Sequence, residues 1–221
     1  MSMVHAPEDL TAPRFSSSAL LLIDTQVDFL DGGVSAIAGT SERLPHMAEL
    51  VQAYRAAGRP IVHAIRLYDG DDVDLVRRAA IQEGALIVRP GSAGAQVAPA
   101  LLPAGGATLE SAALVMGQLQ QVGEREVIMW KPRWSAFYRT SLEDHLRQLG
   151  VDTVVVAGCN FPNCPRATIF DASERDYRVV VVEDAVSQVT PDRLADAVNL
   201  GVHVLPTDAV VKQVGQVPTV R

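Results

Sequence analysis

Cysteine and lysine are both scarce in this sequence, and each shortage restricts what the protein can be. Two cysteines in 221 residues cannot form a disulfide framework, so a reducing, cytoplasmic setting is expected. Of the 19 basic residues only Lys131 and Lys212 are lysines. Lys212 lies in the polar C-terminal tail, whereas Lys131 lies mid-chain in VIMWKPRWSAF. Lysine tunes its pKa readily when buried and arginine does not, so Lys131 is a candidate functional residue.

Long apolar runs and an excess of positive charge are also missing. The longest apolar runs, such as 19–23 and 154–157, are far shorter than the roughly 20 residues of a membrane helix. A net charge of −7 disfavours a general nucleic-acid binder, which presents a positive surface. The first residues show no basic segment followed by an apolar core, so no secretory leader is expected. We therefore predict neither a nucleic-acid nor a membrane partner.

Short apolar, β-branched runs alternate with helical patterns along the whole chain. The strand candidates are 19–23, 60–66, 126–130, 153–157, 178–182 and 202–205. Such runs are typical of central parallel strands that are covered on both faces. Strand–helix alternation predicts a parallel α/β sheet in a single domain over residues 1–221, preceded by an N-terminal arm at 1–17.

Three helices have readable starts or ends in the sequence. One is expected at 42–57, closed by Gly58, and a second opens at a capping box of Thr140 and Glu143. A third begins with Thr190 as N-cap and runs to about residue 200. The segment 67–123 fits this alternation less well and is expected to be an irregular loop region with a short helix at 74–80. Irregular segments of this length are typical of functional loops or assembly surfaces.

Ionisable side chains follow three of the predicted strands. Asp24 comes after the first strand, Lys131 after the strand 126–130, and Cys164 begins a helix after the strand 153–157. Ligands bind at the carboxyl ends of the strands in open α/β sheets. A helix N-terminus and a nearby lysine stabilise a thiolate, and an aspartate can accept its proton. These residues predict nucleophilic acyl transfer. Each also has a purely structural interpretation: Asp24 as a cap, Lys131 as a solvated charge and Cys164 as a core thiol.

Other chemistries find little support. Neither GxGxxG nor GxxxxGK[ST] follows a strand, and the histidines at 5, 46, 63, 145 and 203 lack metal-ligand spacing. We therefore predict no cofactor and no metal. Cys159 and Cys164 are five residues apart, which leaves a redox pair open although the spacing is not CxxC.

Three blocks of sequence, taken together, resemble the isochorismatase-like cysteine hydrolases. They are ALLLIDTQVDFLDGG, KPRWSAFYRTSLEDHLRQLGVDTVVVAG and GCNFPNCPRATIFDASERDYRVVVVEDAVS. The resemblance extends over residues 19–204, nearly the whole chain. It implies a Rossmann-like, doubly wound domain whose six-stranded parallel sheet has helices on both faces.

The resemblance also implies a Cys–Lys–Asp triad. In it Asp24 is the general base, Lys131 stabilises the thiolate and developing charge, and Cys164 is the nucleophile. A cis peptide bond is implied between Cys159 and Asn160. It would turn the Asn160 N–H toward the Cys164 N–H and form an oxyanion hole.

The sequence departs from the nicotinamidases of this superfamily. They carry metal-binding Asp-Trp-His residues and a further histidine after the second strand, where this chain reads IRLYDGDD. The resemblance therefore supports neither a metal nor nicotinamide as substrate. Phe29, Trp134, Phe137 and Phe161 are expected to line the substrate pocket. A streptothricin hydrolase-like branch of the superfamily suggests one kind of ring amide.

The leading hypothesis is a cysteine hydrolase that cleaves a small-molecule amide or lactam through a thioester. The alternatives are a vinyl ether hydrolase of the isochorismatase type and a non-catalytic binding module. A homo-oligomer, either dimer or tetramer, is also expected because Leu109, Ala113, Leu114 and Met116 need burial. Relative to the family, residues 104–122 are an insertion. The competing interpretation is that this segment folds back over its own sheet as a lid.

Overall fold

Seven strands form one sheet in the computed structural model, which describes residues 9–70 and 72–216. They are β1 (Ser18–Ile23), β2 (Ile61–Ile65), β3 (Gln120–Gly123), β4 (Glu126–Trp130), β5 (Thr153–Gly158), β6 (Arg178–Val186) and β7 (His203–Leu205). Their order is β3-β4-β2-β1-β5-β6-β7, and only the β3–β4 pair is antiparallel. The six predicted strands are thus confirmed as parallel neighbours in a Rossmann-like order.

Helices follow most of the parallel strands. They are α1 (Leu44–Ala56), α2 (Leu75–Gln82), α3 (Ser111–Val115), α4 (Leu142–Gln148), α5 (Cys164–Ser173), α6 (Pro191–Val198) and α7 (Thr207–Gly215). Short 3₁₀ turns occur at Phe15–Ser17, Val27–Phe29, Ser41–Arg43 and Pro99–Leu101. The N-cap predicted at Thr190 is confirmed, because its side chain accepts a hydrogen bond from the Arg193 N–H. In the described part of the chain, no helix is both long and apolar enough to cross a membrane.

Both faces of the sheet are covered, as the alternation along β1 shows. Leu20 and Leu22 belong to one buried cluster, whereas Leu21 and Ile23 belong to another. Buried side chains of α1 and α7 join the first cluster, and those of α4, α5 and α6 join the second. The prediction of a doubly wound α/β domain is therefore confirmed.

The segment 67–123 is more regular than its sequence predicts. It contains α2, α3 and β3, and β3 extends the sheet to seven strands instead of six. A tight turn joins Gly123 to Glu126, which face each other across the β3–β4 hairpin. A short polar strand such as QQVG has no apolar periodicity, so only its pairing with β4 reveals it.

The capping box predicted at Thr140 and Glu143 does not form. The helix α4 begins at Leu142, and the Thr140 hydroxyl donates to the Ala136 carbonyl oxygen at 2.6 Å. The Glu143 carboxylate accepts a 3.0 Å hydrogen bond from Arg175. A cationic side chain is a stronger donor for this carboxylate than a backbone N–H, which explains the difference.

The predicted N-terminal arm packs against the sheet where the structure describes it. Residues 1–8 lie outside the described ranges. The Arg14 backbone N–H donates to the Thr153 hydroxyl at 3.0 Å, and the Phe15 side chain is buried in the core. Residues 14–17 are therefore part of the domain and not a projecting arm.

The chain itself buries part of the surface that suggested an oligomer. Leu109 and Leu114 lie in the core cluster of this same chain. Met116, by contrast, is 78% exposed. The need to bury Leu109 and Leu114 is thus met by folding back onto the sheet, which corrects that argument for a second subunit.

The packing of α3 can be tested by truncating its buried leucine. We expect Leu114→Ala to lower the free energy of unfolding by about 2–5 kcal/mol, because Leu114 is fully buried. The matched control Met116→Ala should change it by less than about 0.5 kcal/mol. Denaturant unfolding measures both, and similar losses in the two variants would contradict the packing described.

Candidate active site

Four neighbouring strands end side by side at one edge of the sheet. The register places the last residues of β1, β2, β4 and β5 next to one another. The first residues after these strands are Asp24, Arg66, Lys131 and Cys159. Two of the three predicted catalytic residues are therefore brought together by strand register alone.

Asp24 and Lys131 form a buried ion pair. The Lys131 side chain is fully buried, and its Nζ lies 3.0 Å from each carboxylate oxygen of Asp24. Nζ donates its hydrogen bond to Oδ2, whereas Oδ1 is buried without a donor. Asp24 also has a positive φ of 53°, a conformation that is uncommon for a residue with a side chain. Lys131 is therefore not a solvated surface lysine, and its ammonium lies against both oxygens of the Asp24 carboxylate.

Cys164 is the first residue of α5, as the sequence predicts. The backbone N–H groups of a first helical turn have no acceptor within the helix. The Thr168 hydroxyl donates to the Cys164 carbonyl oxygen at 2.8 Å and accepts from the Ala136 N–H at 3.0 Å. Thr168 thus ties the start of α5 to the loop that follows Lys131. Cys164 and Asp24 line the same cavity.

The Cys164 thiol is harder to ionise than the sequence predicts. Burial, followed by the negative charge of Asp24, raises its pKa to about 12, although Lys131 and Arg66 act in the opposite direction. The thiol is therefore protonated at neutral pH, contrary to the expected thiolate. Any attack by this sulfur needs a base, and the Asp24 carboxylate lines the same cavity.

The second cysteine has a different environment. The Cys159 thiol donates to the backbone carbonyl of Asp24 at 3.0 Å and is 1% exposed. Burial raises its pKa well above the usual range. Both cysteines are free thiols. Cys159 therefore holds the backbone of Asp24, a contact that does not suit an exchangeable redox partner.

The peptide bond between Cys159 and Asn160 is cis, at the position that the resemblance implies. Asn160 lines the cavity, and its side-chain amide donates to the Gln188 side chain at 2.8 Å. The backbone N–H groups of Asn160 and Cys164 remain the predicted oxyanion donors.

Only two of the four predicted aromatic residues line the cavity. Phe29 and Trp134 do so, whereas Phe137 and Phe161 do not. The Phe137 ring packs 5.7 Å from the ring of Tyr177 in the core cluster beneath α4 and α5. Phe161 is 1% exposed within the same cluster. Burial against the sheet turns both rings away from the substrate side, which corrects the prediction.

Sequence reasoning missed a group of polar residues on the cavity wall. Arg66 is buried, and its Nε and Nη2 lie 3.3 and 3.2 Å from the Tyr68 hydroxyl. Nη2 also donates to the carboxylate of Asp74, which precedes α2. Arg66 directly follows a buried strand, as Asp24 does, and that position was the available signal. Within residues 9–70 and 72–216, no three His, Cys, Asp or Glu side chains cluster as metal ligands.

The chain matches the family model of the isochorismatase domain over residues 18–209. Since the match covers most of the sequence, the protein belongs to the isochorismatase family, as its three sequence blocks imply. This family of hydrolases includes enzymes that act on amides.

Individual relatives match this chain over most of their length. A probable inactive nicotinamidase of Arabidopsis thaliana is 32% identical over 202 residues, which cover 86% of this chain and 93% of that protein. Ureidoacrylate amidohydrolase of Methylobacterium radiotolerans is 29% identical over 195 residues, which cover 81% of this chain and 70% of that protein. The crystal structure of an isochorismatase family protein from Desulfovibrio vulgaris has a TM-score of 0.74 and 32% identity, covering 89% of this chain and 97% of that one.

Alkylation kinetics test the protonation state of Cys164. Because its pKa is about 12, the rate of modification by iodoacetamide should increase roughly tenfold per pH unit between about pH 6 and 9. Mass spectrometry of the Cys164→Ser variant provides the control, since the remaining, more deeply buried Cys159 should react much more slowly. A rate that levels off near neutral pH would instead indicate a thiolate of low pKa.

Proposed function

We propose that this protein is a cysteine amidohydrolase that cleaves a small-molecule amide or lactam through a thioester. The observation that carries the proposal is the buried Asp24–Lys131 ion pair beside a cavity that Cys164 lines. Membership of a hydrolase family that includes amidohydrolases supports it.

In the first step the Cys164 sulfur attacks the amide carbonyl carbon, and Asp24 accepts the thiol proton. The tetrahedral oxyanion is stabilised by the backbone N–H groups of Asn160 and Cys164. The cationic Lys131 stabilises the negative charge that develops as the thiol proton leaves. Protonated Asp24 then donates its proton to the leaving nitrogen, the C–N bond breaks, and an amine or ammonia departs from the thioester.

In the second step a water molecule hydrolyses the thioester. Asp24 accepts a proton from the water, whose oxygen attacks the thioester carbon. The C–S bond breaks, and Cys164 regains a proton from Asp24 as the carboxylic acid leaves. A nucleophile of this kind must stay reduced, which favours the cytoplasm as its location.

The two lysines provide a matched pair of variants. Lys131→Arg should lose at least ~100-fold in kcat, about 2.7 kcal/mol of transition-state stabilisation, because a planar guanidinium does not fit the buried space of an ammonium. Lys212→Arg changes an exposed lysine and should leave turnover unchanged. Ammonia or acid release from a panel of small primary amides and lactams gives the activity.

The nucleophile is tested in the same assay. Cys164→Ala should abolish hydrolysis while the protein keeps its thermal transition. Near wild-type turnover in either Lys131→Arg or Cys164→Ala would refute the proposed triad.

A non-catalytic member of the family is the second candidate, because a relative 32% identical to this chain is named as a probable inactive nicotinamidase. Such a protein would bind a small molecule without forming a covalent intermediate. Mass spectrometry after rapid acid quenching separates the candidates. An acyl adduct on Cys164 supports the hydrolase, whereas ligand binding without any adduct or turnover supports the second candidate.

Apolar side chains on α2 support a homo-oligomer, either dimer or tetramer. Leu75 and Val76 are 79% and 73% exposed, and no residue of α2 is buried. Val76 also lines the cavity of Cys164, so a second subunit on this face would lie beside the site. Contiguous exposed apolar surface is typical of interfaces.

Light scattering at micromolar concentration tests the assembly. We expect a mass of two or four times the 23.7 kDa of one chain. The Leu75→Asp variant should reduce that mass, because a charge on α2 would be buried at the interface. A wild-type protein that scatters as a monomer would rule out the oligomer.

A further inference from the structure

The cavity that Cys164 lines contains hydrogen-bond donors that the protein does not use. Arg66 lines it and is 2% exposed, yet its Nη1 is buried without an acceptor. Arg77, in the first turn of α2, lines the same cavity. Within residues 9–70 and 72–216, the Arg77 side chain makes neither an ion pair nor a hydrogen bond. Two guanidinium groups are therefore available on one wall of the site.

The Arg66 guanidinium is held in a fixed orientation. Its Nε and Nη2 contact the Tyr68 hydroxyl, Nη2 also donates to the Asp74 carboxylate, and its Cζ lies 5.0 Å from the centre of the Tyr68 ring. These contacts use Nε and Nη2 and leave Nη1 without a hydrogen-bond acceptor. A buried charged donor without an acceptor is unfavourable, so an acceptor supplied by a ligand would be bound strongly.

The charges that surround the cavity do not cancel. Lys131 neutralises Asp24, and Arg66 neutralises Asp74, although Oδ1 of Asp74 is itself left without a donor. Arg77 has no such counter-charge among the described residues. The site therefore has a surplus of one positive charge, which suits one negative charge on the substrate.

We infer that the substrate amide carries a carboxylate, which accepts hydrogen bonds from Nη1 of Arg66 and from Arg77. This inference rests on the proposed amidohydrolase function and names its substrate class: the monoamides of short dicarboxylic acids. The cavity volume of about 70 Å³ favours a short carbon skeleton over a bulky ring system. Arginine suits this role because its planar donors match the geometry of a carboxylate.

Arg66 has a competing role that must be separated from this one. Its positive charge also acts on the Cys164 thiol, so it could assist the nucleophile and not the substrate. A role at the nucleophile affects every amide equally. A role in carboxylate recognition affects only amides that carry the carboxylate.

The experiment compares the monoamides of malonic, succinic and glutaric acids with the corresponding neutral diamides. For the wild-type protein we expect at least one monoamide to have a kcat/KM at least ~10-fold above that of its diamide. Arg66→Gln should raise KM for that monoamide at least ~10-fold more than it raises KM for the diamide. Arg89→Gln is the matched control, because Arg89 is exposed and does not line the cavity.

Arg77→Gln keeps the test decisive if Arg66→Gln does not fold. Arg77 is only half-buried, and its replacement should raise KM for the monoamide at least ~3-fold without affecting the diamide. Equal losses for both substrate types, or a wild-type preference for the diamide, would overturn the inference while the amidohydrolase proposal stands.

Binding separates the inference from the proposed function. In isothermal titration calorimetry, the Cys164→Ala variant should bind the three monoamides more tightly than the diamides, and a further Arg66→Gln change should remove the difference. Selective binding without hydrolysis by the wild-type protein would sink the amidohydrolase proposal and support carboxylate recognition. Absence of any preference for the monoamides in either assay would overturn the inference.

Discussion

The buried ion pair of Asp24 and Lys131 is the interaction on which the rest of the site depends. Its partners are 107 residues apart, and they meet because β1 and β4 flank β2 in the sheet order. A charge taken out of water is unfavourable unless an opposite charge compensates it, so each residue requires the other. The strand order therefore brings the two residues together at one edge of the sheet.

Burial, followed by the charge of Asp24, sets the protonation state of the neighbouring sulfur. Lys131 donates to Asp24, and its charge opposes the rise in the Cys164 pKa without outweighing burial, which keeps the thiol protonated. A neutral thiol beside a carboxylate is suited to proton transfer at the moment of attack. In the proposed mechanism the base and the nucleophile act as one unit, and the N-terminus of α5 supplies an N–H donor for the oxyanion.

The charged side chains around the cavity are compensated to different degrees. Asp24 and Lys131 compensate each other, whereas Arg66 keeps an unused donor and Arg77 keeps an uncompensated charge. The proposed function assigns the reaction to the first pair and recognition of the substrate to the two arginines.

Local patterns in the sequence determined the six parallel strands, the start of α5 at Cys164, and the positions of Asp24 and Lys131 at strand ends. Each of these depends on residues that are close together in the chain. The tertiary structure alone decided that β3 joins the sheet, that Phe137 and Phe161 face the core, and that Arg66 binds Tyr68 and Asp74. It also decided that Cys164 stays protonated. Strand pairing, side-chain direction and burial depend on contacts between distant segments, which no local pattern encodes.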